Sequence, residues 1–99
     1  MKRKPRRYEV ECGAADAARL AEAIRAYAQA AYPPGGSECA QVARETLFDT
    51  ANECAAHPGG LLVLNKRQLP MLRSALHWWF GEDGRADTDD GSRLRSLLD

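Results

Sequence analysis

The chain has 99 residues, 44% hydrophobic and 28% charged, with fourteen basic residues balancing fourteen acidic ones. That length suits one domain with a small core, and that mix is globular rather than disordered. Zero net charge excludes a globally basic nucleic-acid binder and a globally acidic mimic of one, though not local patches.

No apolar run approaches the roughly 18 residues of a membrane span, so no membrane contact is expected. The basic N-terminus is followed by no apolar stretch, so no signal peptide is expected either. The chain carries seventeen alanines, and eleven of its fourteen basic residues are arginine. That bias points to a bacterial or phage source. Three cysteines, an odd number, suit a reducing cytoplasm better than a disulfide framework.

Residues 1–7, MKRKPRR, hold five positive charges and no apolar anchor beyond Met1. They read as a flexible basic tail ahead of a single globular domain, 8–99. Tyr8–Cys12 reads as a short strand and leads into a helix that ends near Tyr32. At 100° per residue, Ala17, Leu20, Ile24, Tyr27, Ala28 and Ala31 share one narrow arc, with Arg19, Glu22, Arg25 and Gln29 opposite. The face is core, and its alanines permit close packing.

The PPGG and HPGG breakers at 33–36 and 57–60 bracket a second helix, Ser37–Ala56, with Ser37 as its N-cap. Cys39, Ala43, Leu47, Thr50, Ala51 and Cys54 share one side of it. Phe48 falls on the polar side among Gln41, Arg44 and Asn52, with no obvious place inside the chain.

Leu61–Leu64 is apolar throughout, the pattern of a strand covered on both faces. Asn65 and Gln68 then fit a capping box. Pro70 is favoured only at a helix start, which predicts a loose or 3₁₀ turn at Lys66–Leu69 and regular helix from Pro70. In that helix Leu69, Met71, Leu72, Ala75, Leu76, Trp78, Trp79 and Phe80 cover roughly 200° of the circle. Either neighbouring helices wrap it, or Met71, Ala75 and Trp78 face a partner, since Trp and Met are enriched at interfaces. Adjacent Trp78 and Trp79 point about 100° apart and are not expected to face one neighbour.

Gly81–Gly91 holds five acids and one arginine and reads as a solvated loop. A last helix, Ser92–Leu98, puts Leu94, Leu97 and Leu98 on one side. The expected fold is α+β and predominantly helical, in the order β-α-α-β-α-α, with a small two-stranded sheet packed on helices. A shift of 52 residues aligns its two strand-helix units: Val10 with Leu62, Gly13 with Asn65, Asp16 with Gln68, Leu20 with Leu72, Ile24 with Leu76, Tyr27 with Trp79.

Reactive chemistry finds little support. Cys54 and His57 have zinc-ligand spacing, but Cys39 lies about 22 Å from Cys54 along one helix. A site would have to recruit Cys12 and His77 as well. Each cysteine follows a glutamate, and nearby negative charge keeps a thiol protonated. The acidic loop misses the calcium-loop spacing, and no phosphate-binding glycine loop is present. No catalytic residue, metal or cofactor is expected.

The expected function is a small non-enzymatic protein-protein interaction or regulatory protein. Its candidate interface is Phe48, Met71, Ala75 and Trp78. A homodimer is expected through that stripe or through the strands, because a two-stranded sheet is marginal alone. The alternative is an accessory nucleic-acid binder acting through Lys2, Arg3, Lys4, Arg6 and Arg7, with Tyr8 free to stack on a base.

Overall fold

A computed structural model describes residues 7–81, 94 and 96–98. Strand β1 (Arg7–Cys12) is followed by α1 (Ala14–Ala31), α2 (Glu38–Ala56) and β2 (Gly60–Asn65). A 3₁₀ turn (Lys66–Gln68), α3 (Leu69–Leu76) and one π-helical turn (His77–Gly81) come next. Residues 94 and 96–98 are helical. The fold is predominantly helical α+β. The expected acidic loop and the start of the last helix lie outside the described residues.

Short-range signals place the boundaries. Gly13 caps α1 through its backbone, the Ala17 N–H donating to the Gly13 carbonyl at 3.0 Å. Ser37 caps α2, its hydroxyl accepting from Ala40 N–H at 3.2 Å, which satisfies one of the N–H groups a helix start leaves unpaired. The 3₁₀ turn falls on the residues ahead of Pro70, as expected. Asn65 caps it by accepting from Arg67 N–H at 2.9 Å. Gln68 does not complete a capping box. Its Oε1 lies 2.5 Å from the buried Thr50 hydroxyl, so it ties the turn to α2 instead.

Helices α1 and α2 form an antiparallel pair. Arg25 donates to Asn52 Oδ1 at 2.8 Å and Arg44 to the Tyr32 carbonyl at 3.1 Å, two links whose residue numbers rise on one helix as they fall on the other. Small residues Ala17, Ala21, Ala23 and Ala28 lie buried along α1 and let the neighbouring elements approach closely.

Strands β1 and β2 pair antiparallel, from Arg7 opposite Asn65 to Cys12 opposite Gly60. His57 pins one end of the ladder. Its Nε2 lies 2.9 Å from the Cys12 carbonyl and 3.3 Å from that of Gly60. Two carbonyl neighbours require the proton on Nε2. Gly59 and Gly60 both have positive φ, 110° and 97°, which lets the chain turn sharply into β2. Gly60→Ala is expected to cost about 1–3 kcal/mol through backbone strain, read as a lower urea midpoint at unchanged slope.

Val10 and Leu62, equivalent in the 52-residue alignment, stand opposite each other in the ladder. The register of the two strands therefore coincides with the sequence alignment. The burial pattern repeats with them. Ala17, Leu20, Ala23, Ile24 and Ala28 of the first unit are buried, as are Leu69, Leu72, Ala75, Leu76 and Phe80 of the second.

Candidate interaction surfaces

In an antiparallel ladder, opposed residues share a face. The inner face carries Tyr8, Val10 and Cys12 with Leu64 and Leu62, all in or against the core. The outer face carries Arg7, Glu9 and Glu11 on β1, with Asn65, Val63 and Leu61 on β2. The expectation that both faces of β2 are covered is not met within one chain. Leu62 and Leu64 are buried, but Leu61 is 54% exposed and Val63 36%. An alternation of depth hides beneath an unbroken apolar run.

The candidate interface residues lie in different surroundings. Ala75 is fully buried and offers no surface. Met71 is half-buried and packs against the core. Phe48 has a place inside the chain after all: it packs against the core, and the Arg44 guanidinium lies 4.8 Å from its ring centre. That cation-π contact, one helical turn back, explains a phenyl ring on a polar face.

Trp78 is half-buried, with Tyr27 at 6.1 Å on one side and Trp79 at 6.1 Å on the other. The two tryptophan rings lie against each other. The π-helical turn that holds them packs more residues per turn than an α-helix, which narrows the angle between neighbours. Tyr32 stands 6.3 Å from Tyr27, so four rings run in sequence from the end of α1 to the π turn.

The basic tail begins outside the described residues, which leaves Lys2, Arg3, Lys4 and Arg6 without a structural account. Arg7 belongs to β1 rather than to the tail. Tyr8 is not available to stack on a base. It packs against the core, and its hydroxyl donates to the Leu97 carbonyl at 2.5 Å. Arg73 Nε donates to the neighbouring Leu98 carbonyl at 2.6 Å. Together they hold the end of the last helix, where carbonyls lack helical partners.

The two buried thiols, Cys12 and Cys54, have little nucleophilic character. Burial, then Cys12 and Glu53, push the Cys54 thiol up to about 12. Burial and Asp16 raise Cys12 as well. Cys39 is exposed. Among the described residues no group of three His, Cys, Asp or Glu is placed to hold a metal ion, and no helix is long and apolar enough to cross a membrane.

Comparison with protein-family models, with curated proteins and with solved structures finds no match to this chain, so its function is read from its own residues.

Proposed function

We propose that this chain is a small non-enzymatic protein-protein interaction protein whose first partner is a second copy of itself, joined through β2. The observation that carries this reading is the exposure of Leu61 and Val63 on the outer sheet face. Two strands form a sheet that is marginal alone, and among the described residues each keeps one edge without a strand neighbour. The outward side chains of β1 are all charged, the pattern that discourages strand addition. β2 has no such protection.

Antiparallel pairing of two β2 strands about Leu62 sets Leu61 opposite Val63 of the second copy, twice over. Four aliphatic side chains then form one cluster on a four-stranded sheet. Such an arrangement is isologous and closes on itself. The stripe of Met71, Ala75 and Trp78 has less to offer, because Ala75 is fully buried.

Light scattering at micromolar concentration is expected to give twice the 10.9 kDa chain mass. Val63→Lys is expected to return the monomer with the helical circular dichroism unchanged, since the site is exposed. A monomeric wild type sinks the reading. A dimer indifferent to Val63→Lys but lost in Met71→Ala with Trp78→Ala moves the interface to α3.

A further inference from the structure

The outer face of the sheet sets aliphatic residues beside acidic ones, row by row. Glu9 stands opposite Val63 and Glu11 opposite Leu61, and opposed residues share a face. All four side chains are exposed. Among the described residues neither glutamate has an ion-pair partner. Pairing of two β2 strands about Leu62, the self-association proposed above, extends each row across four strands. One row then runs Glu9, Val63, the partner's Leu61, the partner's Glu11. The second row is its two-fold mate.

Edge pairing uses backbone groups in the plane of the sheet, so these side chains still point to solvent. The dimer therefore presents an aliphatic strip two strands wide, bounded on both sides by carboxylates. Strands lie about 4.8 Å apart, which puts the two acidic rows, three spacings apart, at roughly 14 Å. An α-helix with its side chains is about 10–12 Å across. It fits between the rows, and lysine or arginine on its flanks reaches the carboxylates. Glu9 and Glu11 are two residues apart, roughly 7 Å along the strand. That is little more than one helical turn of about 5.4 Å, so cations one turn apart on a helix flank meet both.

We infer that the outer face of the four-stranded sheet is a docking surface for an amphipathic helix whose apolar stripe is flanked on both sides by lysine or arginine. The assignment rests on self-association through β2, which supplies the second acidic row. Charge selects the occupant. A nucleic acid, an anionic membrane and a second copy of this face each bring negative charge against the glutamates. A cationic helix offers the aliphatic strip an apolar cover and gives the carboxylates partners. The strip is short, so the contact belongs to the weak and transient class, and its charged part is screened by salt.

Fluorescence anisotropy with a labelled helical peptide tests the assignment. The peptide, of about 18 residues so that it is helical by itself, carries a leucine stripe with lysine on both flanks. Light scattering of the same samples reads the mass. One peptide per two chains is expected, with binding that weakens as salt rises. Glu9→Gln with Glu11→Gln removes every carboxylate of the two rows and is expected to weaken binding about tenfold at low salt, with the dimer mass unchanged. Glu45→Gln with Asp49→Asn removes as many charges from exposed positions on α2 and is expected to leave affinity unchanged. Glu9→Lys with Glu11→Lys is expected to transfer the preference to a peptide with glutamate flanks.

A dimer that binds no lysine-flanked peptide at millimolar protein concentration overturns the docking surface and leaves the self-association standing. A monomeric mass overturns both. Equal binding of lysine-flanked and glutamate-flanked peptides to the wild type, one peptide per chain, or a Glu9→Gln, Glu11→Gln variant that matches the wild type each overturns the docking surface. A mass of four chains without peptide assigns the face to a second copy of itself instead.

Discussion

Leu94→Ala combined with Leu98→Ala is expected to leave the chain without a cooperative unfolding transition, or with one shifted to very low urea. Both leucines are 1% exposed and belong to the main core. Each truncation in such a site costs about 2–5 kcal/mol, the lost transfer energy plus a cavity. The pair together removes about 4–10 kcal/mol from a total that is about 5–15 for a domain of this kind. Strict additivity is not required, because the two sit one turn apart and share a cavity. Loosening this segment also releases the Tyr8 hydroxyl and Arg73 from the Leu97 and Leu98 carbonyls, so β1 and α3 lose a common anchor. Urea denaturation followed by far-ultraviolet circular dichroism reads the effect. A loss below about 1 kcal/mol would mean that the last helix adds little to the core. Leu97→Ala, at a half-buried position, should cost visibly less.

The second large effect is at alkaline pH. The Cys54 thiol is raised from an ordinary 9.0 to about 12, first by burial and then by Cys12 and Glu53. Below pH 9 the thiol is protonated in both folded and unfolded chains, and its contribution to stability is fully present. Between pH 9 and 12 the unfolded chain ionises it and the folded chain does not. The unfolded state then holds fewer protons, so stability falls as pH rises, by up to about 1.4 kcal/mol per unit. Over that window the loss reaches at most about 4 kcal/mol. Cys12 acts in the same direction through its own burial and Asp16. Cys54→Ala is expected to flatten this alkaline limb, at a cost of about 1 kcal/mol near neutrality for the small cavity. Stability measured by urea titration from pH 7 to 11 separates the two effects. An alkaline limb equally steep in wild type and Cys54→Ala would show that other groups cause it.

Local physics determined the element boundaries. PPGG and HPGG break any helix whatever surrounds them. Pro70 lacks an amide donor, so regular helix had to begin near it. The 3.6-residue spacing of Ala17, Leu20, Ile24 and Ala28 left one face to bury. The fold class, the helical faces and the likeness of the two strand-helix units follow from such short-range patterns.

Surface and site were decided by contacts between distant segments. Leu61–Leu64 carries no alternation, so its sequence cannot say which face is open. Pairing with β1 turns Leu62 and Leu64 inward and leaves Leu61 and Val63 outside. Phe48 lies on the polar side of its helix, yet Arg44 shields it there. Gln68 has the spacing of a capping residue, but packing brings its side-chain amide against the Thr50 hydroxyl of α2, a contact that only the fold creates. Trp78 and Trp79 lie together on a π turn that the sequence pattern does not announce. Glu9 and Val63 become neighbours only through a ladder that closes a loop of more than fifty residues. Pattern along a chain reports what each residue prefers, whereas register and packing decide which preferences meet.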